Sequence, residues 1–228
     1  MAVPGFLLSG WAPARASTVP VRIAIRDIAG DDDEALRQGV AFGMLEVAEA
    51  TRLTRTPVIF QRVDTDEHEG DPDVEVVVSA HDDRAIALAL GSGLTRIHTC
   101  PLREWRADAW SVASGPASGH GIAAERDWHP RLTHGGAAQL NARFRRHAGK
   151  PMDESAWRGW MAVKVAYEAA LRARAGERDL LALEFDGYKG RPLRFGDDGH
   201  LRQPTFRTAG DTRVIVVPPR LDLGDAFA

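Results

Sequence analysis

The chain has 228 residues, 44% hydrophobic and 27% charged, with a formal net charge of −3. That usage is ordinary for a folded protein and excludes a collagen-like or disordered chain. Lys and Arg (29) do not outnumber Asp and Glu (32), so the basic surplus of a nucleic-acid binder is absent and no nucleic-acid partner is expected.

Residues 1–16 read MAVPGFLLSGWAPARA. A short apolar stretch over 3–8 precedes Ala14-Arg15-Ala16, the small-x-small pattern favoured at signal-peptide cleavage sites, although no Lys or Arg comes before Arg15. The segment reads as a signal or leader, and the compartment as one reached by export. No apolar run attains the ~18–20 residues needed to span a bilayer. Cys100 is the sole cysteine, which excludes an intramolecular disulfide and a cysteine-built zinc site. It reads as a small buried apolar residue.

Residues 21–25 (VRIAI) alternate and are β-branched, which predicts a first strand. Asp31-Asp32-Asp33-Glu34 opens a helix, because acidic side chains suit the positive end of the macrodipole. Leu36, Val40, Gly43, Met44 and Val47 then recur at helical spacing to about Ala50. Strands are predicted at 57–63 (PVIFQRV) and 74–79 (VEVVVS), the second apolar enough to be covered on both faces. The acidic stretch 64–73 between them reads as a solvated charge run, since it lacks the glycine and glutamate placement of an EF-hand. A helix capped by Asp82 runs to Leu90 and stops at Gly91 and Gly93. Short strands follow at 95–99 and 109–113. Helices alternating with buried strands imply a largely parallel sheet. Ligands of such sheets sit beyond the carboxyl ends of the strands, here 27–34, 79–82 and 99–103.

The Gly/Ser/Pro-rich run 114–121 marks a boundary. Beyond it, helices are expected at 136–147 and, capped by Asp153, up to Arg174, with a short one at 178–185. Residues 191–195, a GDDG turn and 200–207 predict a hairpin, and 212–217 a last strand. No phosphate-binding loop, dinucleotide fingerprint or hydrolase motif is present. His120, His129 and His134 lack metal-ligand spacing and read as surface or capping residues. Six tryptophans are more informative. Trp105, Trp110 and Trp128 lie in loop sequence near Arg103, Arg106, Arg126 and His129. Such rings either lid the core or stack on a planar anion whose carboxylates pair with Arg, and spacing leaves both open.

The runs GGAAQLNARF (135–144), AGKPM (148–152), the helix 157–170, YKGRPLRF (188–195) and GHLRQP (199–204) fall in the order and spacing of one family. They resemble the periplasmic substrate-binding proteins of ABC transporters associated with pyrroloquinoline quinone (PQQ)-dependent alcohol dehydrogenase systems, of the branched-chain amino acid type. The match covers about 128–208, with a weaker echo in Ile97-His98-Thr99 and Leu102-Arg103. The resemblance implies a type I binding-protein fold: two α/β lobes, a hinge and a cleft. It implies a non-catalytic periplasmic protein that needs no cofactor and hands a solute to a membrane permease, with PQQ as a candidate ligand. Family members are longer. Most of a second lobe would lie where this chain passes from 111–114 through a Gly-rich link to 127–130.

The expectation is therefore an α/β protein with a mostly parallel sheet flanked by helices, a reduced second lobe and a C-terminal hairpin. Its parts are a leader (1–16), an α/β lobe (17–115), and the return helices, hairpin and second-lobe remnant (116–228). Trp128 and Trp105 would stack on a small anionic solute, Arg103 and Arg126 would pair with its carboxylates, and His129 would hydrogen-bond; the resemblance makes Trp128 and His129 the preferred pair. Ser79, Thr99 and Arg103 follow from strand-end geometry. The competing expectation is an accessory module of a periplasmic dehydrogenase that has lost solute binding, alone or as a homodimer. A small metal-dependent hydrolase on the three histidines is the weakest.

Overall fold

The computed structural model describes residues 19–29, 33–63, 71–79, 94–102, 108–114, 125–209 and 213–217. The expected leader and the helix at 82–90 lie outside them. Five parallel strands build the main sheet: β1 (Val21–Asp27), β2 (Val58–Arg62), β3 (Val74–Val78), β4 (Arg96–His98) and β5 (Ala109–Ser111). Their spatial order is β2-β1-β3-β4-β5. In register, Ile23 sits opposite Phe60 on one side and Val74 on the other, and Val76 opposite Ile97. The order reverses between β1 and β3, which opens a crevice beyond their carboxyl ends.

Three helices are described. In α1 (Glu34–Thr54) the Asp33 carboxylate accepts from the Leu36 N–H at 3.2 Å, and Arg55, at φ 55°, closes the last turn. The helix runs past the expected end at Ala50. α2 (Ala137–Ala148) stops at Gly149, whose φ of 72° suits a residue without Cβ. In α3 (Glu154–Arg174) Asp153 caps as expected, accepting from the Ala156 N–H at 2.9 Å. α1 and α3 cross in backbone contact. A Cβ on Gly39 would lie 2.0 Å from the Ala156 carbonyl oxygen, and one on Gly159 would lie 2.4 Å from that of Leu36.

Alternation sends Val21, Ile23 and Ile25 to one face of the sheet, with Val74, Val76, Val78 and Ile97. They share one core with Leu36 and Val40 of α1, with Trp157, Trp160 and Met161 of α3, and with Phe195 and Phe206 from the C-terminal strands. That core crosses residue 115, so the sequence boundary there is not a boundary in packing. The opposite face carries Arg26, Glu75, Arg96 and His98, all buried. Glu75 Oε1 pairs with Arg26 Nε at 2.5 Å and Oε2 with Arg96 Nε at 2.7 Å, the partners a buried carboxylate requires. Cys100 is buried and packs with Leu102 and Ala109, as expected.

The C-terminal part departs from expectation in detail. The short helix is one 3-10 turn (Leu180–Ala182), because β6 (Phe185–Asp186) begins where the helix was expected to end. β6 pairs antiparallel with β7 (Pro192–Phe195), and β7 with β8 (Leu201–Arg202). The single strand expected at 200–207 is interrupted at Gln203-Pro204. Pro204 has no N–H for a ladder, and Gln203 is diverted to the Val112 carbonyl at 2.8 Å. The chain resumes as β9 (Thr205–Ala209), paired with β10 (Arg213–Val217).

Candidate functional site

Strand-end geometry brings Ser79 and Thr99 together at the carboxyl ends of β3 and β4. The Ser79 N–H donates to Thr99 Oγ1 at 2.9 Å, and the Thr99 hydroxyl donates to the Ser79 carbonyl at 2.8 Å. Both residues are buried. The Thr99 hydroxyl thus joins two strands, and the pair forms the floor of the rim rather than its surface. The loop after β4 is anchored from elsewhere. The Ser111 hydroxyl donates to the Cys100 carbonyl at 2.6 Å. His200, from the hairpin turn, accepts the Leu102 N–H on Nε2 at 3.0 Å and meets the Asp198 carbonyl through Nδ1 at 3.0 Å, which places the ring proton on Nδ1. Sequence reading missed this role for His200; a histidine after a GDDG turn carries no signal of a partner 98 residues away. Arg103 and Trp105 lie outside the described residues.

The preferred pair is placed differently from expectation. Trp128 has no exposed surface. Its ring stacks on Trp157 at 5.9 Å and 8°, and its indole N–H donates to Asn141 Oδ1 at 3.2 Å. It is a core residue with no face left for a solute. His129 is partly buried, and its Nδ1 accepts from the Arg131 N–H at 3.1 Å. Burial, then the charges of Arg131 and Arg126, hold its pKa below the ordinary value, so the ring is neutral near pH 7. Arg126 is exposed and joins β9 through its backbone, 2.9 and 2.8 Å from Phe206. His134 lies beside Phe206, ring centroids 6.5 Å apart. Among the described residues no group of His, Cys, Asp or Glu is placed to hold a metal, and no helix is long and apolar enough to cross a membrane.

Beneath this segment lies a buried polar cluster. Asp127 takes the Ser114 hydroxyl at 2.5 Å and Arg158 Nε at 2.7 Å. Burial disfavours its charge, but Arg158, Lys189 and Ser114 outweigh it and hold the carboxyl below its usual range. Lys189 Nζ sits 3.8 Å from the centre of the Trp157 ring and donates to Gln203 Oε1 and to the Pro204 carbonyl. Its donors are taken up inside the fold.

The carboxyl end of the sheet does carry an open pocket of about 340 Å³. α1 starts above the ends of β1, β2 and β3, and its first turns form the roof. Ile25, Val40, Met44 and Val78 supply the apolar lining. Asp27, Glu34, Arg37, Gln38 and Arg62 supply the polar side. Arg37 Nε donates to Asp27 Oδ2 at 2.8 Å and Arg37 Nη2 to the Ala29 carbonyl at 2.8 Å. Arg62 approaches the same Asp27 oxygen at 3.5 Å. The pocket sits at the β1/β3 reversal, where α/β sheets of this order bind ligands. The strand-end rule reached Asp27 and Glu34 but not Arg37, Gln38, Met44 or Arg62. The signal for three of these was a second stripe on α1, at positions 37, 38, 41 and 44, beside the core stripe.

No family model and no curated protein matches the chain. Solved structures do. One is the solute-binding protein of an ABC transporter from R. palustris, in complex with benzoate. It is 10% identical, with 90% of this chain and 98% of that chain covered, at a TM-score of 0.59. An amino acid ABC transporter substrate-binding protein from Pseudomonas fluorescens is 11% identical over 91% of this chain and 61% of its own, at a TM-score of 0.35. A branched-chain amino acid transporter substrate-binding protein from Streptococcus pneumoniae, in complex with isoleucine, is 10% identical over 87% of this chain and 60% of its own, at a TM-score of 0.30. The chain thus spans about three-fifths of the length of the last two. The fold, an α/β fold with a parallel sheet flanked by helices, is that of the R. palustris structure.

Proposed function

We propose that the chain is a non-catalytic, solute-binding component of an ABC transport system that works in the periplasm and takes a small organic anion at the carboxyl end of its parallel sheet. The observation that carries this reading is the pocket of about 340 Å³ at the β1/β3 reversal. Its size lies at the lower end of the range of about 300–1,000 Å³ typical of small-molecule sites. Its polar side holds two arginines, Arg37 and Arg62. The R. palustris neighbour, in complex with benzoate, supports a ligand of carboxylate chemistry. Export is supported by the apolar stretch before Ala14-Arg15-Ala16. The finer reading, a link to PQQ-dependent alcohol oxidation with PQQ as the solute and a membrane permease as the partner, rests on the resemblance over residues 128–208.

The test is a calorimetric titration of the purified chain with PQQ and with benzoate, in parallel. Saturable heat with PQQ supports the linked transport reading. Saturable heat with benzoate alone supports solute binding and removes PQQ. No heat with either, from a chain that melts cooperatively, removes both carboxylates as solutes and favours the accessory-module reading.

A further inference from the structure

Helix α1 is covered on its core side and on one flank, and bare on the side that faces away from α3. On the core side Gly39 and Gly43 approach the α3 backbone at Ala156 and Trp160. On the flank Phe42 packs edge-on against Phe144 of α2 at 5.5 Å, and Glu46 accepts from Arg143 at 2.6 Å. The bare side carries Glu34, Gln38, Ala41, Leu45, Ala48 and Arg52. Their spacing alternates between four and three residues, so they form one stripe along the helix. Glu34, Ala41, Leu45 and Arg52 are exposed, Leu45 to 44%, and Gln38 and Ala48 are half-buried. The middle of the stripe is apolar, its start is acidic and its end is basic. Among the described residues neither Glu34 nor Arg52 has an ion pair. A stripe with this spacing is the pattern of a helix–helix seam, and nothing described in this chain occupies it.

We propose that a second copy of this chain docks on this stripe, with the two α1 helices antiparallel about a two-fold axis at the level of Gly43. The stripe is symmetric about that position and complements itself when turned end for end. Ala41 of one copy meets Leu45 of the other, Gln38 meets Ala48, and Glu34 meets Arg52. Each contact occurs twice, as an isologous interface requires. The small side chain of Ala41 leaves the hollow that Leu45 fills. Charge fixes the direction. A parallel pair would set Glu34 against Glu34 and Arg52 against Arg52, whereas the antiparallel pair sets each acid against a base. The flanking Arg37 and Glu49 fall opposite each other in the same register. The seam is one helix of 21 residues, about 30 Å long. A contact of that extent lies at the low end of interface sizes, so the dimer is weak and depends on concentration. The inference goes beyond the solute-binding reading and does not rest on it. Glu34, Gln38 and Ala41 also line the pocket, so the second copy borders that site.

The experiment is sedimentation velocity of the full chain from about 5 to 500 µM at low salt, where a weak interface shows itself. It compares the wild type with Leu45→Lys, Glu34→Arg, Arg52→Glu and the double variant Glu34→Arg/Arg52→Glu. The wild type is expected to pass from monomer to dimer as concentration rises. Leu45→Lys weakens the dimer by about tenfold or more, because it sets an ammonium in both copies of the apolar contact. Each single charge variant weakens it by about tenfold, because two attractions become two repulsions. The double variant restores the pairing with its charges exchanged and returns to within about threefold of the wild type. Leu45, Glu34 and Arg52 are exposed, and a melt of each variant confirms that the fold is kept. A sedimentation coefficient that stays constant over the whole range overturns the proposal. A dimer that Leu45→Lys leaves unchanged lies on another face and overturns it as well. Single charge variants that weaken the dimer without rescue by the double variant overturn the antiparallel register. The solute titrations are read separately, so the failure of either reading is distinguishable from the failure of the other.

Discussion

Lys189 shows how much one side chain depends on its surroundings. It lies within the fold, over the face of Trp157, with Gln203 and Pro204 as acceptors. Desolvation is the largest influence on it and, despite Asp127, pulls its pKa down from 10.5 to about 7. In the unfolded chain the ammonium keeps its ordinary value. Between pH 7 and 10.5 the unfolded state therefore binds more protons than the folded one, and stability rises with pH across that window. Below the window both states hold the proton and the pH dependence from this group vanishes. The slope is bounded at about 1.4 kcal/mol per pH unit, or about 2–4 °C in melting temperature for a chain of this size. Melts recorded from pH 7 to 9 should climb accordingly, and Lys189→Met should flatten the climb. A wild-type melting temperature level over that range would show that the ring and the two acceptors keep the ammonium charged.

At the scale of elements, the C-terminal hairpin is a clamp on the sheet. Its turn lies along the edge of β5, where the Ser111 N–H donates to the Gly199 carbonyl at 2.8 Å. His200 then reaches the Leu102 N–H at the carboxyl end of β4. Replacing His200 with Ala leaves that buried amide without an acceptor, a loss of about 1–3 kcal/mol. Hydrogen exchange at Leu102 should accelerate by about tenfold or more while exchange within α3 changes little. His200→Gln, whose amide oxygen accepts, should restore part of the protection. Equal acceleration throughout the chain would assign His200 to global stability alone. The elements themselves were largely legible in the sequence. Period located α1 and α3, together with the acidic run 31–34 and the cap Asp153, and Gly149 marked the end of α2; these are chemical signals read from a few neighbours. The break at Gln203-Pro204 was less legible, because it depends on Val112, distant in sequence. The same limit applied to the tryptophans. Trp128 near Arg126 and His129 is compatible with a ligand site or a core, and only the position of Trp157 on α3 decides for the core. Arg62 and Gln38 became site candidates only when the strand order placed the end of β2 beside the start of α1.

For the molecule as a whole, the continuity of the core decides how it unfolds. Residues of β1, β3 and β4 pack with Trp128, Trp157, Trp160 and Phe206 in a single cluster, although a Gly/Ser/Pro-rich run separates them in sequence. Two independent folding units would each bury their own apolar surface, whereas here the sheet face is covered by helix α3 from beyond residue 115. Removing that cover would expose Val76, Ile97 and Ile23, each fully buried now. The described sheet and helices therefore unfold as one cooperative unit. Urea curves followed by tryptophan fluorescence and by far-ultraviolet circular dichroism should coincide. Trp128→Ala is the sharper probe, because the residue lies in the second half of the chain and the sheet in the first. Emptying a fully buried indole site costs about 3–5 kcal/mol. Both curves should shift to lower urea together, and amide protection in β1 should fall by the same free energy as protection in α3. Fluorescence that moves while the sheet amides keep their protection would instead place a folding boundary at residue 115 and make the two halves separate domains.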